Sequence, residues 1–147
     1  SDLKAGQAID RVGVMLSLNF PAGPELEKLS EKSNAVFKIK PSMKNTDCSL
    51  SGVENKCKKM LSENYEKSDI ALFCIDSVIA ALDGMYKALM PKYGALPVVF
   101  SGGVTSNKRI KNYFYDKYNA IFAEPAFSAD NAAGTAVLSS IMYDRRK

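Results

Sequence analysis

The residues best arranged for chemistry lie between Leu96 and Asn107, LPVVFSGGVTSN. Pro97, Val98, Val99 and Phe100 read as a short buried strand, which Ser101-Gly102-Gly103 ends abruptly. Adjacent glycines allow close backbone approach and φ above zero, and Ser106 can cap a helix beginning near Asn107. Strand, glycine turn and helix N-terminus together cradle an anion, because free N–H groups and the helix dipole converge on one spot. A plain βα turn, with glycines there for packing, explains the same residues equally well. Lys108, Arg109 and Lys111 crowd the first turn of that helix. The dipole disfavours cations there unless an anion lies nearby, which favours the phosphate reading.

Carboxylates are the other candidates. Asp10 lies off an apolar helical stripe, beside Ile9, as an exposed helix charge would. Glu25 and Glu27 fall in the first turn of one helix and Asp130 in that of another, positions where the dipole alone is sufficient reason for an acid. Asp76 and Asp83 resemble paired carboxylates on a long helix, although the polar edge of a core helix is the simpler account. The chain has no histidine. That removes Ser-His and Cys-His catalysis and any His-ligated metal, unless another chain or segment supplies the imidazole. Cys48, Cys57 and Cys74 lack C-x-x-C spacing. Cys57 and Cys74 sit on apolar helical faces as small hydrophobes, and the set suits a reducing, cytosolic compartment.

The elements that must position these groups follow from apolar spacing. The 147 residues, 46% apolar, suit one globular domain with a real core. No apolar run approaches the roughly 20 residues of a membrane span, and no secretory signal is visible. Helices are expected at Ala5–Leu18, at Pro24 to about Lys32, and from Ser51, whose S-x-x-E with Glu54 has the form of a capping box. The longest is expected from a Ser68 cap to about Met90, apolar nearly all round. Residues 33–47 read as a connector interrupted by Pro41, with at most a short strand at Val36–Ile39; Cys48 to Leu50 could be extended. After the glycine turn come a helix, Asn107–Tyr118 with Ile110 and Phe114 inward, a short strand at Ala120–Phe122, and a last helix from Asp130 to about Tyr143. The two strands joined through one helix form a βαβ unit, expected right-handed. The fold class is α/β, helix-rich with a small, mainly parallel sheet too sparse for its helices, so strands are expected from elsewhere. The net charge of +4, with basic groups at Lys108–Lys111 and Arg145–Lys147, permits an anionic partner such as RNA; solvated surface explains it too.

Several stretches together resemble one family. They are Ala5-Gly6-Gln7-Ala8-Ile9-Asp10-Arg11-Val12, Phe20-Pro21-Ala22-Gly23-Pro24-Glu25-Leu26-Glu27-Lys28-Leu29, Ser49-Leu50-Ser51-Gly52, Asp69-Ile70-Ala71, Ser101-Gly102-Gly103-Val104-Thr105-Ser106-Asn107-Lys108-Arg109 and Asp130-Asn131-Ala132-Ala133. Their order and spacing resemble the C-terminal part of the TsaD (Gcp) family, threonylcarbamoyl-transferring proteins of tRNA modification once labelled O-sialoglycoprotein endopeptidase or glycoprotease. The resemblance covers nearly the whole chain. It implies a partial actin-like ATPase (RNase H-like) domain over residues 1–147, with the N-terminal half of the fold absent and the chain a truncated or proteolysed piece.

Carried over residue by residue, the resemblance implies that Asp10, Gly23, Glu27 and Asn107 contact the nucleoside part of ATP or an adenylate. Gly102 and Gly103 would line its phosphates. Asp130 would be the carboxylate ligand of a divalent metal (iron, zinc or magnesium), complete only with two histidines from the missing half. The implied reaction moves threonylcarbamoyl from its adenylate to an adenosine amine of tRNA, in a cytoplasmic protein with partners from the same pathway. The isolated piece is expected to be inactive and, through exposed sheet edge and core, to form a homodimer. Family members usually have Glu at Gln7, Gly at Ala22 and Lys at Glu54; these departures, with Ala22 placing a methyl near the ligand, suit a non-catalytic nucleotide-binding paralogue or assembly partner. A sugar or acetate kinase of the same superfold is a third reading, disfavoured by the Pro-Ala-Gly-Pro and Asp-Asn-Ala-Ala stretches. A peptidase would need a metal-bound water and a general base, neither visible here.

Overall fold

The computed structural model describes residues 4–123. The chain divides into two compact units, Ser1–Leu96 and Pro97–Lys147. The expected last helix and Asp130 lie outside the described residues.

The first unit is built on one long helix. Helices α1 (Ala5–Met15), α2 (Gly23–Ser30) and α3 (Ser51–Ser62) all pack on α4 (Lys67–Tyr93). Ile70, Ala71, Cys74, Ile75 and Val78 are fully buried on α4, against Ala8, Val12 and Leu16 of the α1 segment, Leu26 of α2 and Cys57 of α3. Each of the larger aliphatic side chains contributes about 1.5–3 kcal/mol relative to exposure. Burial extends round the cylinder as far as Asp83, as the apolar spacing predicts, and Asp83 pairs with Lys87 at 2.6 Å. The helix starts after Glu66, without a side-chain cap, rather than at Ser68, and runs through Pro91 before Gly94 closes it at φ 74°. A proline costs little there, because it removes one bond from a single exposed terminal turn.

The expected capping box on α3 does not form. Leu50 occupies the cap position, and the Ser51 hydroxyl lies 2.9 Å from that of Ser49. Glu54 instead reaches Arg11 of α1 at 3.2 Å and Lys58 at 2.8 Å. Lys58 and then Arg11 hold its carboxyl below the ordinary range. Cys48, Cys57 and Cys74 are free and buried. A hydrogen bond to Cys57, reinforced by burial, pushes the Cys74 thiol well up; such thiols act as packing groups, not nucleophiles.

The stretch expected to be a connector is ordered differently. From Ser33 to Lys44 the residues alternate strictly, odd-numbered ones partly buried and even-numbered ones exposed, the period of an extended strand. The inward row lies along α4: Ser33 Oγ donates to Asp69 Oδ1, Phe37 meets Phe73 edge-on at 5.4 Å, and Pro41 and Met43 close over Gly84. The end of this ribbon is β1 (Ser42–Lys44), paired antiparallel with β2 (Asp47–Ser49) so that Met43 faces Cys48 across the hairpin. Asn45 turns it at φ 58°, a conformation asparagine tolerates. Val36–Ile39 is not a paired strand.

In the second unit, β3 (Val99–Phe100) pairs parallel with β4 (Ile121–Phe122) through a 3-10 turn (Gly103–Ser106) and α5 (Lys108–Tyr118). This is the expected βαβ connection. Its strand is half-buried rather than buried. Ile110 and Phe114 are fully buried, as the spacing predicts. Phe114 lies 4.8 Å from Phe100, which stacks on Phe122 at 5.4 Å. The whole is a helix-rich α/β arrangement with small sheets.

Candidate functional site

Three of the candidate residues share one corner of the first unit. Asp10 stands on α1, Gly23 opens α2, and Glu27 follows one turn later. Residues 16–22 join the two helices, and two carboxylates fix the part from Asn19 to Ala22. Asp10 Oδ1 accepts from the Ala22 N–H at 3.0 Å. Glu25 accepts from the backbone N–H of Asn19 at 3.1 Å and from its amide nitrogen at 3.0 Å. Asp10 is therefore not a simple exposed helix charge, and Glu25 has a tertiary role beyond the dipole. A Cβ placed on Gly23 would meet nothing within 4 Å, so its backbone is open to approach.

Ala22 is fully buried, and its methyl points at α1: a Cβ built on Gly13 would come within 2.1 Å of the Ala22 Cβ. The methyl is thus buried at the junction of α1 and the loop rather than exposed on the loop surface.

The two amide donors of Asn19 hold the Glu25 carboxyl below its ordinary range, the side-chain bond being the larger cause. A depressed folded-state value means that this bracket stabilises the fold above the unfolded carboxylate range and is lost as pH falls through the folded value. Glu25→Gln should therefore be less stable than the native chain near neutrality. The difference should fade below about pH 4, where carboxylates protonate; urea unfolding at several pH values checks it.

The second group lies on the glycine turn. Gly102 has φ 109° and ψ 165°, a region essentially closed to other residues. Gly103 begins the 3-10 turn, and neither glycine has anything within 4 Å of an added Cβ. The expected Ser106 cap is displaced: the Ser106 hydroxyl donates to the Gly103 carbonyl, and Asn107, only 8% exposed, caps α5 through Oδ1, which accepts from the Ile110 N–H at 3.1 Å. Its Nδ2 group is left to donate elsewhere. The basic first turn is only partly in need of an outside anion, since Lys111 lies over the Phe122 ring at 5.7 Å and Lys108 and Arg109 have other interactions.

A metal does not fit the described residues. No group of three or more acids, cysteines or histidines there could hold one, and the whole chain lacks histidine. Among the described residues no helix is long and apolar enough to cross a membrane.

Comparison with known proteins assigns this architecture. A family model described as TsaD, tRNA N6-adenosine threonylcarbamoyltransferase, matches residues 1–137. A relative from Kosmotoga olearia is 30% identical over 156 residues, covering 99% of this chain and 46% of its own length. One from Thermococcus kodakarensis is 32% identical over 148 residues, covering 97% of this chain and 46% of itself. A third, from Prosthecochloris aestuarii, is 28% identical over 169 residues, with 99% and 49% covered. All three are called tRNA N6-adenosine threonylcarbamoyltransferase. The fold is accordingly a partial actin-like, RNase H-like α/β domain. The chain belongs to the TsaD family, and it spans about half the length of the curated relatives it matches.

Proposed function

We propose that this chain is the C-terminal part of a threonylcarbamoyl transferase acting on tRNA, and that its role is to bind the adenylate donor. Asp10, Gly23, Glu27 and Asn107 take the nucleoside part, and Gly102 and Gly103 take the phosphates. The observation that carries this reading is the pairing of the family match over residues 1–137 with a glycine turn whose Gly102 backbone, at φ 109°, borders open space ahead of a helix N-terminus. The tRNA amine attacks the carbonyl carbon of the donor, a new C–N bond forms as the bond from that carbon to the phosphate oxygen breaks, adenosine monophosphate leaves, and the amine gives up a proton to solvent. Asp130 would contribute one ligand to a metal, with the others supplied from outside this chain. The expected setting is cytoplasmic, alongside other proteins of the pathway.

Asp10→Asn tests the nucleoside assignment. Asparagine keeps an oxygen for the Ala22 N–H but replaces the second carboxylate oxygen with a donor. Calorimetric titration of the chain with a threonylcarbamoyl-adenylate analogue should show about tenfold weaker binding, ~1.4 kcal/mol, at nearly native stability. Native-strength binding by the variant would remove Asp10 from the site. If the native chain binds no adenylate, the nucleotide reading fails as a whole.

A further inference from the structure

The ribbon along α4 presents a row that the nucleotide reading does not use. Its outward residues are Asn34, Val36, Lys38, Lys40, Ser42 and Lys44, all exposed, with Lys32 in the turn just before. The stretch from Lys32 to Lys44 holds four lysines and no acid, so its charge of +4 equals the net charge of the whole chain. Elsewhere several cations are matched, Lys58 and Lys59 with Glu54 and Glu63, and Lys87 with Asp83, while Lys4 and Lys56 stand singly rather than in a row. Lys32, Lys38, Lys40 and Lys44 have no ion pair among the described residues. Asp47 stands opposite Lys44 in the hairpin, but its Oδ1 accepts from the Cys48 N–H at 3.2 Å.

Same-face neighbours on an extended chain are about 6.6 Å apart, inside the Debye length of roughly 8–10 Å at moderate salt. Lys38 and Lys40 therefore repel each other unless an anion spans them, and Lys32 and Lys44 extend the positive row to either side. The inward row fixes them in place, through Ser33 on Asp69, Phe37 on Phe73, and Pro41 and Met43 over Gly84. Along Lys38–Lys40 the backbone N–H groups have no hydrogen-bond partner among the described residues, so further donors lie beside the ammonium groups.

We propose that this lysine row is a docking surface for the phosphate backbone of an RNA, an inference that rests on the tRNA reading above. Contact of this kind, to phosphates, would supply affinity and register rather than base identity.

The test compares two variants of equal net charge. One is Lys38→Gln/Lys40→Gln; the other is Lys4→Gln/Lys56→Gln, exposed lysines off the ribbon. Each is titrated against a fluorescent tRNA transcript between about 50 and 200 mM salt, the range over which counterion release is read. The ribbon variant should bind several-fold more weakly, and the slope of log K against log salt should fall by about 1.5, from roughly 0.7–0.9 per lost phosphate contact. The off-ribbon variant should keep the native slope. Equal slopes in the two variants, or no tRNA binding by the native chain, would overturn the proposal. Equal slopes with new self-association of the ribbon variant in sedimentation would make the lysines guards of an open strand edge instead. Adenylate titration of the same proteins separates the readings: a slope difference without adenylate binding leaves the RNA surface standing and removes the nucleotide site.

Discussion

Gly13→Ala should destabilise the first unit by about 3 kcal/mol, at the upper end of what one misplaced methyl costs in a packed interior. The new Cβ would lie 2.1 Å from the Ala22 Cβ, which is tied to backbone and cannot swing aside as a long side chain could. Ala22 is also fixed on both sides. Its N–H donates to Asp10 Oδ1 at 3.0 Å, and its carbonyl accepts the Leu26 N–H at 2.8 Å, closing the start of α2. Relief therefore has to break the Asp10 bond, shift α2, or part α1 from the loop. Ala22→Gly should cost less, about 1 kcal/mol, for one buried methyl and added chain freedom. The informative protein is Gly13→Ala/Ala22→Gly, in which the methyl changes sides. Urea unfolding of all four proteins should show the double variant more stable than Gly13→Ala alone, with a coupling of about 2 kcal/mol. Additive losses would mean that the two residues do not share this space.

That contact changes how a departure from the family pattern is understood. The resemblance sets Ala22 where relatives usually carry glycine, and a methyl on a loop beside Gly23 invites the idea of a blocked ligand site. The structure turns the methyl into the α1–loop junction, where Gly13 receives it. The substitution therefore bears on the stability of the corner that holds Asp10. Glu54 behaves similarly. Set by the resemblance where a lysine is expected, it pairs with Arg11, 43 positions away in sequence, so its charge is matched locally.

Local pattern specifies much of this fold. Helix α4 was legible because its apolar residues recur at helical spacing almost all round, and Ile110 with Phe114 was legible for the same reason. Gly102 was legible because only glycine suits a φ of 109°. What local pattern could not decide were contacts set by distant chain. Ser106 and Asn107 are both competent caps, and the choice fell to Asn107 because the 3-10 turn claims the Ser106 hydroxyl for Gly103. Ser51 and Glu54 fit a capping box, yet Arg11 and Lys58 draw Glu54 away. The ribbon was hidden differently. Phe37, Ile39, Pro41 and Met43 alternate with Lys38, Lys40, Ser42 and Lys44, a period of two that signals a strand. Pro41 and the high polarity point instead to a connector. The proline is tolerated because no ladder bond is required of it before the hairpin begins at Ser42. On the candidate site, Asp10, Gly23 and Glu27 could be placed on helices, but the bonds from Ala22 and Asn19 that shape their corner depend on how the loop between two helices closes.

Gly103→Ala should weaken adenylate binding by tenfold or more while leaving unfolding free energy within about 0.5 kcal/mol of native, the usual range for a surface change without strain. Gly102→Ala should instead destabilise its unit by about 1–3 kcal/mol, because φ 109° with ψ 165° is strained for any side chain. The contrast follows from the two backbones. Gly103 has no left-handed φ, and an added Cβ would meet no atom of the protein within 4 Å, so alanine there costs the fold little. The same open space is where phosphates must come if the turn is an anion cradle, and the methyl would hold them off the backbone N–H groups. A βα turn whose glycines serve packing alone makes the opposite forecast for binding, since alanine at Gly103 would then touch nothing that matters. Titrating each variant with a threonylcarbamoyl-adenylate analogue, and unfolding each in urea, distinguishes the two. A stable Gly103→Ala protein that binds like the native chain would assign the turn to packing and leave Asp10, Gly23, Glu27 and Asn107 to account for any nucleotide affinity.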